Sequence, residues 1–255
     1  MRLSRSGIND RAAWEAIGVK LPQFDIDEVA KNTKERPQWV HFGAGNIFRG
    51  FIANAHQKLL DSKKVDTGIV AVESFDFEVI DKVYKPFDNL TLLVLMNADG
   101  HFDKTVVASI PEAITSDKNR EEDYNRLIEI FENPSLQMAS FTITEKGYSL
   151  SDASGNYLEI VKKDIEIGPE NPIHTMSLVT ALAYRRYKKG KYPMTFVSMD
   201  NCSHNGDKIK EAVLTIAKKW LERGFVEEGF IDYLEDESKI SYPLTMIDKI
   251  TPRPS

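Results

Sequence analysis

The chain has a single cysteine, Cys202, in 255 residues, so no intramolecular disulfide can close and no cysteine-rich metal cluster can assemble. That usage fits a reducing compartment. Long apolar runs are missing as well: charges recur too often for any stretch to reach the roughly 18 uncharged positions of a membrane-spanning helix. The N-terminal segment is broken by charges every few residues and lacks the apolar centre of a secretory leader. A basic field is also lacking. Against 33 Lys and Arg stand 39 Asp and Glu, a net charge of -6, which argues against a binder of nucleic-acid backbones. At this level the chain reads as a soluble cytoplasmic protein with no nucleic-acid, metal or membrane partner. What is present is ordinary globular material: 42% hydrophobic and 28% charged residues, enough to bury a core in one large α/β domain or two small ones.

Residues 1–36 are polar, with Pro22 and Pro37 bracketing a mixed segment, and read as an N-terminal arm with a short helix. From 37 to 255 the pattern changes. Apolar runs of strand length at 38–42, 67–72, 90–96, 104–110, 138–143 and 194–199 alternate with amphipathic stretches at 46–61, 120–132, 173–188 and 207–223. Such alternation predicts βαβ units and a Rossmann-like, doubly wound, mostly parallel sheet. The Asp99-Gly100 pair between two apolar runs predicts an antiparallel insertion.

The first apolar run ends in Gly43-Ala44-Gly45-Asn46-Ile47-Phe48-Arg49-Gly50. A glycine directly after a strand permits a tight turn, and a second lets the backbone approach a pyrophosphate seated on the free amides of a helix start. The spacing departs from G-x-G-x-x-G, because Phe48 stands where the third glycine would be, so helix and strand must pack by another means. Arg49 would add positive charge near a phosphate. The next run ends at Glu73, where a carboxylate can accept hydrogen bonds from an adenosine ribose and repel the extra phosphate of NADP; Asp76 competes for that role. NAD is the expected cofactor.

Tyr184 and Lys188 form a Tyr-x-x-x-Lys pair on an expected helix, the spacing with which short-chain dehydrogenases move a proton. With nine tyrosines and abundant lysine, about one such pair arises by chance. The glycine pattern of that class is missing, so the two residues read as helix surface.

Two further polar clusters follow apolar runs: Thr144-Glu145-Lys146-Gly147-Tyr148 and Asp200-Asn201-Cys202-Ser203-His204-Asn205-Gly206. Open α/β sheets bind ligands at the carboxyl ends of their strands, where these clusters are expected to fall. Taken with the glycine turn and with Tyr242-Pro243-Leu244-Thr245-Met246-Ile247-Asp248-Lys249, they occur in the order seen in the long-chain polyol-specific dehydrogenases, a family the chain resembles from residue 38 to 252. That resemblance implies NAD-dependent, metal-independent hydride transfer between a secondary alcohol and a ketone of a sugar acid or polyol, with the fructuronate–mannonate pair as first expectation. Mannitol and tagaturonate are the alternatives within the family; a Rossmann module without chemistry is the alternative outside it. The resemblance further implies that Gly43, Gly45, Asn46, Phe48 and Arg49 belong to the cofactor turn and that Glu73 selects NAD. It implies too that Asn201 polarises the substrate oxygen and that Asp248 and Glu145 contact substrate. Leu244 and Lys249 replace the Asn and Arg usual in the last block, and Phe48 precedes Arg49 without the usual intervening His.

Oxidising an alcohol requires a group to take the hydroxyl proton. The family's Lys-x-x-x-x-Asn-x-x-His element is absent: Asn171 with His174 and Asn201 with His204 have the right spacing, but Glu166 and Phe196 stand at the lysine position. The expectation is therefore a dinucleotide-binding domain, residues 37–255, that packs against a helical catalytic domain not present in this chain.

Overall fold

The computed structural model describes residues 1–248, which fall into two compact units, Met1–Ser116 and Asp117–Asp248. The first contains α1 (Arg11–Ala16), β1 (Val19–Lys20), α2 (Ile26–Glu35), β2 (Trp39–Phe42), α3 (Ala53–Asp61), β3 (Ile69–Glu73), β4 (Thr91–Met96), β5 (Phe102–Val107) and β6 (Glu112–Thr115). The second contains α4 (Glu121–Glu132), β7 (Met138–Phe141), α5 (Thr144–Tyr148), α6 (Glu159–Ile167), α7 (Thr175–Gly190), β8 (Met194–Ser198), α8 (Asn205–Glu222), α9 (Glu228–Glu235) and β9 (Ile240–Ser241).

In the first unit β2, β3 and β6 run parallel in the order β6-β3-β2. Every residue of β3 is buried, as expected of a parallel strand covered on both faces. The register pairs Phe42 with Val72, and the Gly43 amide donates to the Val72 carbonyl at 2.9 Å. The end of β2 therefore turns away directly beside Glu73. A π-helical turn, Phe48–Ile52, precedes α3, so the helix expected from residue 46 is not uniform.

The expected antiparallel insertion is β4 paired with β5, from Thr91 opposite Val107 to Met96 opposite Phe102. Its turn carries Gly100 at φ +84°, and β5 stops at Val107, short of the expected residue 110. The N-terminal segment is more than an arm with a short helix. Asp10 caps α1, Asp25 caps α2, and β1 pairs parallel with β5. Ile8, Trp14, Val19 and Leu21 form a core with Leu90, Val106 and Ala108. Those four residues follow neither helical nor strand periodicity, so their burial left no pattern to read.

The second unit holds parallel strands in the order β7-β8-β9, with Phe141 opposite Ser198 at the ends of β7 and β8. Helix α8 buries Ile209, Ala212, Val213, Ile216, Ala217 and Trp220, a stripe at helical spacing. The ring of His174 caps α7 by accepting the Met176 amide at Nδ1. Arg186, fully buried on α7, donates to the carbonyls of Phe131, Asn133, Leu136, Tyr192 and Pro193 at 2.7–3.0 Å. It thereby ties α7 to the segments leading into β7 and β8. All its acceptors are neutral, and burial pulls its pKa down.

Candidate active site

The glycine turn is held through Ala44. Its amide donates to Glu73 Oε2 at 3.0 Å, and its carbonyl accepts the Tyr84 hydroxyl at 2.9 Å. Glu73 is only 8% exposed. Its other oxygen, Oε1, accepts the amides of Ser74, Phe75 and Asp76 at 3.0, 3.0 and 3.3 Å. Tyr84 is buried, and burial keeps its hydroxyl protonated against the pull of Arg49. A carboxylate offers about four acceptor positions, so Oε2, with one amide, retains room for a further donor.

Gly43 has φ +103°, a conformation natural to glycine and strained for other residues. Gly45 is exposed, and a Cβ built there would meet nothing within 4 Å, so the turn presents open backbone. The helix begins at Asn46, and its first amides have no partner one turn earlier. Open backbone, a helix start and a strand-end carboxylate are what a dinucleotide's pyrophosphate and ribose require.

Phe48, expected in the cofactor turn, turns its side chain into the core. Its side chain is completely buried and stacks on His41, with centroids 4.2 Å apart and planes at 7°. This ring pair does the packing that a third glycine would otherwise permit. Asn46 and Arg49 are brought together: Arg49 Nη2 donates to Asn46 Oδ1, and its guanidinium lies 5.8 Å over the Tyr84 ring. Its Nε is buried without a hydrogen-bond partner.

In the second unit the three polar blocks meet at the carboxyl ends of β7 and β8. Asp200 accepts the amides of Ile143 and Thr144 at 2.9 and 3.1 Å and the Tyr148 hydroxyl at 2.6 Å. Ser198 joins the same hydroxyl at 2.8 Å. Asn205, 1% exposed, donates to the Asp200 carbonyl and to the carbonyl and hydroxyl of Thr245, and accepts the Thr245 amide at 3.0 Å. Thr245 in turn donates its hydroxyl to the Ser198 carbonyl at 2.5 Å. Gly206 admits this segment, because a Cβ there would stand 2.5 Å from the Tyr242 carbonyl and 2.6 Å from that of Pro243.

Asp200 and Asn205 thus hold the flanks of Asn201, whose own side chain is exposed. Glu145, next to Thr144, pairs with Lys208 at 3.0 Å on the wall of a 920 Å³ cavity that Tyr148 and Tyr157 also line. Asp248 is exposed three residues beyond Thr245. Thr144 and His204 have φ of +64° and +52°, left-handed values that non-glycine residues adopt where surroundings enforce them. Sequence reasoning missed Ser198, Tyr84 and the bracing role of Asn205. Only Asn205 carried a signal, its place beside a glycine after an apolar run.

Tyr184 and Lys188 do not serve one another. Both bond Glu227, the Tyr184 hydroxyl at 2.6 Å and the Lys188 ammonium at 3.3 Å. Burial and that carboxylate raise the Tyr184 pKa, opposite to what a proton-transferring tyrosine needs. Among the described residues no cluster of three or more His, Cys, Asp or Glu is arranged for a metal, and no helix is long and apolar enough to cross a membrane.

Parallel strands, a glycine turn and an acid at the next strand end define a Rossmann-type α/β fold. The chain belongs to the mannitol dehydrogenase Rossmann domain family, whose model matches residues 37–254. It is 53% identical to D-mannonate oxidoreductase of Thermotoga maritima over all 255 residues, which cover 47% of that protein. Among solved structures, a D-sorbitol dehydrogenase in substrate-free form is similar at TM-score 0.80 and 27% identity, with all of this chain and 49% of that one covered. The Pseudomonas fluorescens mannitol 2-dehydrogenase, in complex with NAD and D-mannitol, shares the fold at TM-score 0.79 and 24% identity, with 100% and 48% covered. The chain spans about half the length of the relatives it matches.

Proposed function

We propose that this chain is the nucleotide-binding part of an NAD-dependent oxidoreductase that moves hydride between nicotinamide and a carbonyl or secondary alcohol of a sugar acid, with fructuronate and mannonate as the pair. The observation that carries the reading is the Ala44 clamp: Glu73 and Tyr84 fix a glycine turn whose open face at Gly45 suits a pyrophosphate. Glu73 Oε2 accepts a ribose hydroxyl there and repels a 2′-phosphate, which makes NAD the cofactor. The choice of sugar acid is supported by the 53% identity to a D-mannonate oxidoreductase.

When bound, NAD supplies the hydride acceptor or donor. Asn201 gives an N–H to the substrate oxygen and stabilises the charge that gathers on it as hydride leaves carbon. Asp248 and Glu145 accept from substrate hydroxyls. The hydroxyl proton passes to a lysine on a further helical domain against which this chain packs, and the half-length coverage of the relatives supports this. We place the reaction in the cytoplasm. The test has two arms. NADH titrated against the 255-residue chain should give saturable fluorescence, with NADPH far weaker and no turnover of fructuronate. Absence of NADH saturation would defeat the nucleotide reading; turnover by this chain alone would defeat the assignment of the base elsewhere.

A further inference from the structure

Phe75 lies two residues past the end of β3, and its side chain is 94% exposed. The backbone that carries it is held firmly. The amides of Ser74, Phe75 and Asp76 converge on Glu73 Oε1, and the Asp76 carbonyl accepts the Val79 amide at 3.0 Å. The other oxygen of that carboxylate holds the Ala44 amide of the glycine turn. One side chain therefore fixes both the turn suited to phosphate and the base of an aromatic ring left in water.

Such exposure forfeits the burial that normally rewards a phenylalanine. A flat apolar face beside a strand-end acid and a phosphate turn suits the purine of a dinucleotide, whose π-face stacks on aromatic rings. A prearranged loop lessens the ordering that stacking would otherwise require.

We propose that Phe75 is the adenine platform of this domain, stacking the purine while the adjoining ribose rests on Glu73. The proposal rests on the nucleotide-binding reading above and adds the residue that holds the base.

The test compares the full 255-residue chain with Phe75→Ala and Phe75→Trp, using ADP-ribose and its fluorescent ethenoadenine analogue as probes. Phe75→Ala should bind ADP-ribose about ten-fold more weakly, within the range of one base–aromatic stack. The ethenoadenine emission change seen with the unsubstituted chain should vanish with it. Phe75→Trp should restore affinity, and ADP-ribose should quench the new indole. The unliganded thermal midpoint of Phe75→Ala should match that of the unsubstituted chain, because the ring packs on little. Equal ADP-ribose affinity in Phe75→Ala would overturn the platform and leave nucleotide binding standing. A lowered midpoint without ligand would overturn it by making the ring structural. No ADP-ribose binding by the unsubstituted chain would remove the nucleotide reading and the platform together.

Discussion

The side-chain amide of Asn205 grips Thr245 from both sides, donating to its carbonyl at 3.1 Å and accepting its amide at 3.0 Å. This is how the segment bearing Asp248 is tied to the start of α8, 40 residues earlier in sequence. Asn205→Ala should leave half-buried main-chain groups of Asp200 and Thr245 without these partners and destabilise the fold by about 1–3 kcal/mol. Amides at 242–248 should exchange with solvent much faster. Asn205→Asp should do no better, since a carboxylate has no proton for the carbonyls of Asp200 and Thr245. Unchanged exchange in that segment would show that the clamp is not what holds it.

Glu73 invites a second substitution. Glu73→Gln keeps the shape but replaces one acceptor oxygen with a donor, so at least one amide of the clamp loses its partner. The expected destabilisation is about 1–3 kcal/mol. NADH should bind more weakly while NADPH loses less, because the carboxylate that repels a 2′-phosphate is gone. Denaturant midpoints and paired titrations of the two cofactors measure this, and a variant with unaltered discrimination would free Glu73 of the selecting role.

Acid should weaken the fold before most carboxylates titrate. Burial lowers the pKa of His41 to about 3, with a backbone hydrogen bond at Gly43 opposing it, and burial also lowers those of His56 and His174. The unfolded chain takes up these protons near pH 6.5, before the folded chain does. The neutral rings' contribution is thus fully present above about pH 6.5 and drains as pH falls toward the folded values. Each histidine removes up to about 1.4 kcal/mol per pH unit in that window. Urea midpoints should fall between about pH 7.5 and 5, and His41→Gln should flatten the slope. A pH-independent midpoint across that interval would contradict the burial of neutral rings.

Much of the fold was legible because its elements are locally consistent. The parallel strands β2, β3, β7 and β8 are apolar runs ending in polar clusters, and α7 and α8 lie within two residues of their expected bounds. The helical turn at 80–87 and the short strands β1, β6 and β9 were not, since each is brief and carries no periodicity long enough to declare itself. At the site, glycines and strand-end acids announced themselves by position, whereas the stacking of Phe48 on His41 did not, since the two rings lie on different elements and no local pattern pairs them. The clamps made by Tyr84 and Asn205 span 40 residues of sequence each, a distance over which no local pattern operates.

Tyr184 offers a last discrimination, between the class to which its spacing with Lys188 points and the one the fold defines. Its hydroxyl donates to Glu227 at 2.6 Å, and Lys188 reaches the same carboxylate instead of the phenol. Nothing there lowers the tyrosine's pKa; burial and the acid raise it. Tyr184→Phe should therefore leave NADH affinity unaltered and shift stability by no more than about 1 kcal/mol, the worth of one half-exposed hydrogen bond. In a longer polypeptide that contains this chain and turns over fructuronate, the same substitution should leave kcat within about two-fold. A loss of a hundred-fold or more, of the size removing a proton-transfer group gives, would restore the short-chain mechanism.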